Sequence, residues 1–342
     1  MTTRRPLYVL VIGSSHLPSY KIGISQPFRY LRRNGYCTYD VKLEHAVSPD
    51  DIKAADVVIF FRTVSSESYR LLELAQKIGK RTVYAIDDHF TALPSNSALG
   101  RAFAAGTSRQ TYINFLRHAQ IVRVASPYFS KHLRKHFRPR RVVCFPGSVD
   151  FSLFKNLKKP IRNDDQVVIG YEGGDKESAF KPVTAALDKI LRHYGDKVRL
   201  EFHGYMPSEL KGRKSVVYVQ DRQEYRTYMK RLYMCTWDIG LAPLENSLMH
   251  RCKTNNKFRE YAACLIPGIY SDMPAYSDCI THLKTGYLVP HTEEGWYEGI
   301  EAMINQRQLR EKIKKQAVKL AKEKYTVEAC AKQWWSQILE HR

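Results

Sequence analysis

Long hydrophobic runs are missing from this sequence. No apolar stretch reaches the ~18 residues that a membrane-spanning helix requires. The first apolar run, LYVLVIG, follows a basic start at residues 1–6, but it is short, is interrupted at Gly13 and has no small-residue cleavage site. It reads as a first buried strand and not as a secretory signal. Paired cysteines are missing as well. The seven cysteines, at 37, 144, 235, 252, 264, 279 and 330, show no CxxC and no paired spacing, which argues against a disulfide frame or a zinc site and fits reduced thiols in a cytosol. Internal repeats, low-complexity tracts and Pro/Gly/Ser-rich linkers are absent, and so are helix-turn-helix, RRM and zinc-finger signatures. Acid is scarce: 34 Asp+Glu stand against 55 Lys+Arg, a net charge of +21. Such a field calls for an anionic partner, whether nucleic acid, an acidic lipid surface or a phosphorylated substrate.

What is present is a folded chain. An apolar fraction of 44% excludes global disorder, and 342 residues are enough for two domains with a core each. Strand-like runs alternate with helical ones. LYVLVIG, ADVVIFFR, RTVYAIDD, AQIVRVAS and RRVVCFPGSVD read as strands of a first half. QPFRYLRRNG has helix character, and ESYRLLELAQKIGK is an amphipathic helix with Leu71, Leu74, Ala75 and Ile78 on one stripe. After Asp150 the pattern restarts with QVVIGYEGG and continues through VRLEFHG, SVVYV, DIGLAPL, IPGIYSD and TGYLVP. A long helix, AFKPVTAALDKILRHYG, sets Val183, Leu187, Ile190 and Leu191 on one face, and the C-terminus is helical with a break near Tyr325-Thr326. Near-continuously apolar strands between helices imply parallel sheets covered on both faces. Ligands of such sheets sit beyond the strands' carboxyl ends, here Gly13-Ser14-Ser15, Arg62-Thr63, Asp87-Asp88-His89, Gly173-Gly174-Asp175, Gly204-Tyr205 and Pro243.

Several of these landmarks carry a resemblance. CFPGSVDFSLF is similar to the interdomain linker of GT-B glycosyltransferases. DIGLAPL, then CKTNNKFREYAACLIPGIYSDMPAYSD and TGYLVP, resembles the nucleotide-sugar-binding half of glycosyltransferase family 4, and EKYTVEACAKQWW resembles its terminal helix. The similarity covers residues 146–340 and, more loosely, the first half. It implies a GT-B fold of class α/β: two Rossmann-like parallel-sheet domains facing a cleft, with a C-terminal helix crossing back to the first. The expected parts are an acceptor domain at 1–147, a nucleotide-sugar domain at 148–324 and a terminal helix at 325–342. The implied activity is transfer of a sugar from a nucleotide diphosphate, commonly UDP, to a hydroxyl of a glycan or lipid-linked acceptor. Retention of anomeric configuration and a role in cell-surface polysaccharide or glycoconjugate synthesis follow from the resemblance alone.

Residues 250–272 pose the sharpest question, because lysines crowd the start of a helix whose dipole is already positive there. A helix placed to begin at Thr254, or at Cys252-Lys253, offers free N–H groups to an anion. Lys253 and Lys257 beside them make sense if a pyrophosphate binds; a solvated basic helix start is the plain alternative. Glu260 stands at i+3 from Lys257 and shares its face. The resemblance implies that Glu260 accepts hydrogen bonds from the ribose hydroxyls. It departs from the family's E-x7-E pair, since Cys252 stands eight residues before Glu260. Glu245, after DIGLAPL, is the carboxylate candidate for the transferred sugar. Gly173 and Gly174 permit close backbone approach, Lys176 reaches for a phosphate, and Tyr205, Gly13 and Ser14 complete the donor set, the last two also lining the acceptor side.

Asp87, Asp88 and His89 close a strand. An aspartate there suits the holding or deprotonation of an acceptor hydroxyl, with His89 orienting it. Adjacent carboxylates beside a histidine also suit a divalent cation, or cap the following turn. The resemblance favours protein cations and helix dipoles over a metal, so no cofactor is expected beyond the nucleotide sugar as substrate. Residues 117–141 concentrate the basic excess. Ser126-Pro127 starts a helix whose apolar stripe is Phe129, Leu133 and Phe137, leaving Lys131, Arg134, Lys135 and Arg138 to face an anionic membrane leaflet or a charged acceptor. The expected location is cytoplasmic, peripheral at the inner face of the membrane. Two alternatives use the same charge: a GT-B transferase acting on modified bases in DNA, and a non-catalytic basic α/β nucleic-acid-binding protein.

Overall fold

The computed structural model describes residues 5–95, 97–104, 106–174, 176–220 and 223–340. The chain divides into two compact units. The first runs to Ser148 and takes in Arg251–Thr254 and the segment from Thr326; the second comprises Val149–His250 and Asn255–Tyr325.

The first unit is built on a six-stranded parallel sheet. Its strands are β1 (Leu7–Ile12), β2 (Cys37–Lys42), β3 (Val57–Phe61), β4 (Arg81–Ala85), β5 (Ile121–Val124) and β6 (Val142–Cys144), in the order β2-β1-β3-β4-β5-β6. Every residue of β3 is buried, as expected of a strand covered on both faces. Strand β2, CTYDVK, was not foreseen. It lies at the sheet's edge, in register with β1 from Leu7↔Cys37 to Ile12↔Lys42, and buries little but Cys37. The helix Ser66–Lys77 buries Leu72 and Ala75. Ile78, expected on the stripe, is the residue that ends this helix and is 37% exposed. The terminal helix Val327–Trp334 belongs to this unit. Trp334 is fully buried, sits edge-on to Phe28 and Phe145, and donates its indole N–H to the Gly23 carbonyl at 2.8 Å. Truncating such an indole typically costs about 3–5 kcal/mol.

The second unit holds β7 (Val167–Glu172), β8 (Val198–His203), β9 (Val216–Val219), β10 (Ile239–Ala242), β11 (Gly268–Ser271) and β12 (Tyr287–Val289), all parallel, in the order β12-β11-β10-β7-β8-β9. The helix Glu177–Tyr194 buries Val183, Leu187 and Ile190 against this sheet's core. Strand order reverses between β7 and β10 here and between β1 and β3 in the first unit. The two crevices this creates lie at the carboxyl ends of those strands, where open α/β sheets bind ligands. No helix among the described residues is long and apolar enough to cross a membrane.

Candidate functional site

In the second unit, β7 ends at Glu172 and turns through Gly173 and Gly174. A side chain on Gly173 would collide with the Tyr171 hydroxyl, so the turn requires glycine. Asp175 lies outside the described residues. Lys176 precedes the helix Glu177–Tyr194, and its ammonium lies 3.5 Å from the Pro243 carbonyl, just beyond β10. Tyr205, past the end of β8, packs on Phe180 and Tyr171.

The neighbouring helix does not start where expected. It spans Asn256–Ala263, with Asn255 at its N-terminus and no side-chain hydrogen bond capping it. Cys252 is instead fully buried in the first unit's core, and Thr254 donates its hydroxyl to the Ala125 carbonyl at 3.2 Å. These tertiary contacts hold residues 251–254 out of the helix. Lys253 accordingly ion-pairs with Asp88 at 2.7 Å in the first unit.

Lys257 is the hub of the second unit's crevice. Its ammonium pairs with Glu172, with Glu260 at 3.1 Å and with the Tyr228 hydroxyl at 3.0 Å, while Tyr228 donates to Glu260 at 2.8 Å. Burial alone would discharge Lys257, but the Glu172 and Glu260 carboxylates outweigh it and push its pKa well above the ordinary value. The expected excess of positive charge is therefore met by two carboxylates, one of which, Glu172, sequence reasoning missed. Glu172 was visible as a lone acid closing an apolar strand; Tyr228, on the helix Tyr225–Met234, had no local signal. Glu245 follows β10 and pairs with His250 at 3.2 Å.

The first unit's crevice holds the other group. Gly13 takes a positive φ of 146°, and a Cβ there would strike the Phe61 carbonyl. Arg62 follows β3 in the left-handed region, φ 57°, a costly conformation for a side chain of its size. Its guanidinium grips both Asp87 and Asp88, the latter at 2.8 Å. Burial pushes the Asp88 carboxyl up, yet Lys253 and Arg62 together hold it below the usual range. An aspartate so stabilised as an anion is a weak proton acceptor and still a hydrogen-bond acceptor for a hydroxyl, the two roles expected of Asp87 or Asp88. His89 departs from expectation. It is 2% exposed, stacks on Phe129 and Tyr112, and bonds to His132 at 3.0 Å, so it sits in the core and cannot orient a ligand hydroxyl. Burial first, then His132 and His136, lowers its pKa to about 4.

Gly13, Ser14, Arg62 and Thr63 line a cavity of about 650 Å³ in this unit. The donor-binding set read from the sequence is thus divided: Gly13, Ser14, Lys253 and Thr254 lie in the first unit, and Gly173, Gly174, Lys176, Tyr205, Lys257 and Glu260 in the second. The basic helix spans Pro127–His136, with the Ser126 hydroxyl accepting from the Phe129 amide. Phe129 and Leu133 are buried, Phe137 is half-buried, and Lys131, Arg134, Lys135 and Arg138 are exposed.

No family model matches the chain, and no curated protein matches it. Solved structures do match. A glycosyltransferase from Rickettsia africae aligns over 99% of this chain and 100% of its own, with a TM-score of 0.69 at 13% identity. Sucrose-phosphate synthase from Thermosynechococcus elongatus covers 98% of each chain, TM-score 0.72, 14% identity. Anabaena HepE, solved in complex with UDP and glucose, covers 98% of this chain and 100% of its own, TM-score 0.70, 12% identity. At such identities the likeness establishes the fold: two parallel-sheet α/β units of the GT-B type.

Proposed function

We propose that this chain is a nucleotide-sugar-dependent glycosyltransferase, with UDP as the donor nucleotide and a hydroxyl of a glycan or lipid-linked molecule as acceptor. The observation that carries the reading is the convergence of Lys257 and Glu260 beside the Gly173-Gly174 turn, at the strand-order reversal of the second unit. Its support comes from structures of the same fold that are glycosyltransferases, one of them holding UDP and glucose.

On this reading Glu260 accepts hydrogen bonds from the ribose. Lys176, Lys257 and the uncapped N-terminus of the helix Asn256–Ala263 meet the diphosphate, whose negative charge grows as the sugar–phosphate bond breaks. Lys257 stays protonated throughout the physiological range because two carboxylates hold its charge. Protein cations do this work without a metal. Glu245 is assigned to hydroxyls of the transferred sugar, and retention of configuration is adopted from the family resemblance. In the first unit, Asp87 and Asp88 hold the Arg62 guanidinium in place, and Asp88 also holds the Lys253 ammonium. The exposed face of Lys131, Arg134, Lys135 and Arg138 docks on an anionic membrane leaflet at the cytoplasmic side, in the service of cell-surface glycan synthesis.

The test is titration calorimetry of UDP, GDP, CMP and dTDP, with donor hydrolysis measured over the matching sugar nucleotides. Glu260→Gln keeps a hydrogen-bonding side chain beside Tyr228 and Lys257 but removes the charge. Loss of hydrogen bonds to a charged acceptor is worth about 1.5–3 kcal/mol, so UDP affinity is expected to fall roughly 10- to 150-fold. A folded Glu260→Gln protein that binds UDP like the wild type refutes the ribose assignment, and failure of every nucleotide to bind the wild type refutes the donor.

A further inference from the structure

The first unit's cavity is walled by carbon. Leu17, Val64, Phe61, Phe90, Leu93 and Phe103 line it, and Leu43, also in the lining, is 46% exposed. Its volume of about 650 Å³ is that of a small-molecule pocket. Two of the polar groups around it are committed elsewhere: Arg62 is held by Asp87 and Asp88, and Glu44 accepts from the Ser65 hydroxyl at 2.8 Å. Ser14, His45 and Ser108 add polar side chains to the lining. Thr63 is 7% exposed, its carbonyl accepts from the Tyr84 hydroxyl, and its own Oγ1 is buried out of reach of the cavity.

We propose that this cavity takes the apolar chain of a lipid-linked acceptor. The inference rests on the glycosyltransferase reading for the word acceptor and goes beyond it in naming the acceptor's chemistry. A bare sugar finds partners only at the polar part of the lining, Ser14, Glu44, His45, Arg62, Ser65 and Ser108, and each hydroxyl turned to leucine, valine or phenylalanine is left unpaired at about 1–3 kcal/mol. An alkyl or prenyl chain gains from the same walls. The headgroup chemistry agrees: the same unit exposes Lys131, Arg134 and Lys135 on one helix and Arg138 just past its end, which suits the phosphates of a lipid surface. Left-handed Arg62, ion-paired on one side and adjoining Thr63 on the other, fixes the polar end of the cavity.

The probes are methyl, octyl and phenyl β-D-glucoside, each below its aggregation threshold, titrated calorimetrically against the whole chain. Each buried methylene is worth about 0.8 kcal/mol, or about fourfold, so burying about half of the octyl chain makes octyl glucoside on the order of a hundredfold tighter than methyl glucoside. Val64→Trp and, independently, Ala102→Trp, at a residue that also lines the cavity, fill the space and are expected to abolish that advantage while UDP binding in the second unit persists. Equal binding of methyl and octyl glucoside, or octyl binding unchanged in both tryptophan variants, overturns the proposal and leaves the donor reading intact. Phenyl binding tighter than octyl assigns an aromatic group and overturns the lipid. Failure of the wild type to bind UDP refutes the donor reading, while the glucoside comparison still tests the cavity.

Discussion

Replacing Lys257 with methionine probes the centre of the second unit's crevice. Methionine keeps the length and apolar stem of lysine and removes only the ammonium. Glu172 and Glu260 then face each other with no cation, their side chains 18% and 9% exposed and that of Lys257 only 16%. Exposure this low puts the group in the buried regime, where removing one partner costs about 3–5 kcal/mol, and not the surface regime of about 0–1 kcal/mol. For a unit of this size each kcal/mol shifts Tm by about 2–4 °C, so the second unit's transition should drop by about 6–20 °C. Differential scanning calorimetry and urea titration read both quantities. The pH dependence has a definite sign. The folded-state pKa of Lys257 is raised, so its stabilisation is complete below the unfolded value of about 10.4 and is lost as pH climbs through the higher folded value. The wild type should therefore lose stability above about pH 10.4, and the variant should show a shallower alkaline loss, the remainder coming from the buried tyrosines Tyr225, Tyr228, Tyr261 and Tyr270. Adding Glu172→Gln to Lys257→Met removes one of the two stranded carboxylates and should recover part of the loss, giving a coupling energy by double-mutant cycle. A loss below about 1 kcal/mol for Lys257→Met would mean that the cluster is solvated and that Lys257 is free to serve the diphosphate without rearrangement.

Two further outcomes are expected. His89 is folded with a pKa near 4 against an ordinary 6.5, so the unfolded chain binds a proton there first and stability falls by about 3 kcal/mol as pH drops from about 6.5 to 4; His89→Phe should flatten that acid slope in urea titrations, and an unchanged slope refutes the buried neutral imidazole. Reversing charge at Lys131, Lys135 and Arg138 should reduce cosedimentation with anionic vesicles, at about 1 kcal/mol per residue, while donor hydrolysis persists; equal vesicle binding by wild type and variant refutes a membrane role, and tight, salt-dependent binding to duplex DNA run alongside would favour a nucleic-acid partner.

The elements legible in the sequence were those whose burial is continuous. VVIFF and VVIGYE announce themselves because both faces of a central parallel strand are apolar. CTYDVK did not, because an edge strand needs only one partner and tolerates polar residues at half of its positions. The helix at Pro127–His136 was equally plain, since its cap, its first-turn proline and its apolar stripe are all local. The candidate site was legible in its residue types and much less in its partners. Lys257 and Glu260 are three apart and were readable as a pair, but the pair is completed by Glu172, 85 residues before Lys257, and by Tyr228 from another helix.

Residues 251–254 show the physical limit most clearly. Their local chemistry, two hydrogen-bonding side chains before a run of helix formers, favours starting the helix at Thr254. Burial of Cys252 among Leu10, Ile12 and Phe129, the Lys253–Asp88 pair and the Thr254 hydroxyl bond to Ala125 bind the same four residues into the first unit. Together these contacts outweigh an N-cap worth about 1 kcal/mol. The helix therefore begins two residues later, and the two lysines that looked like one phosphate clamp answer to different carboxylates, Lys253 to Asp88 and Lys257 to Glu172 and Glu260. Each lysine is thus held in place within its own unit. Where the ammonium groups around this helix start come to rest is consequently set, in each unit, by carboxylates that local sequence cannot reveal.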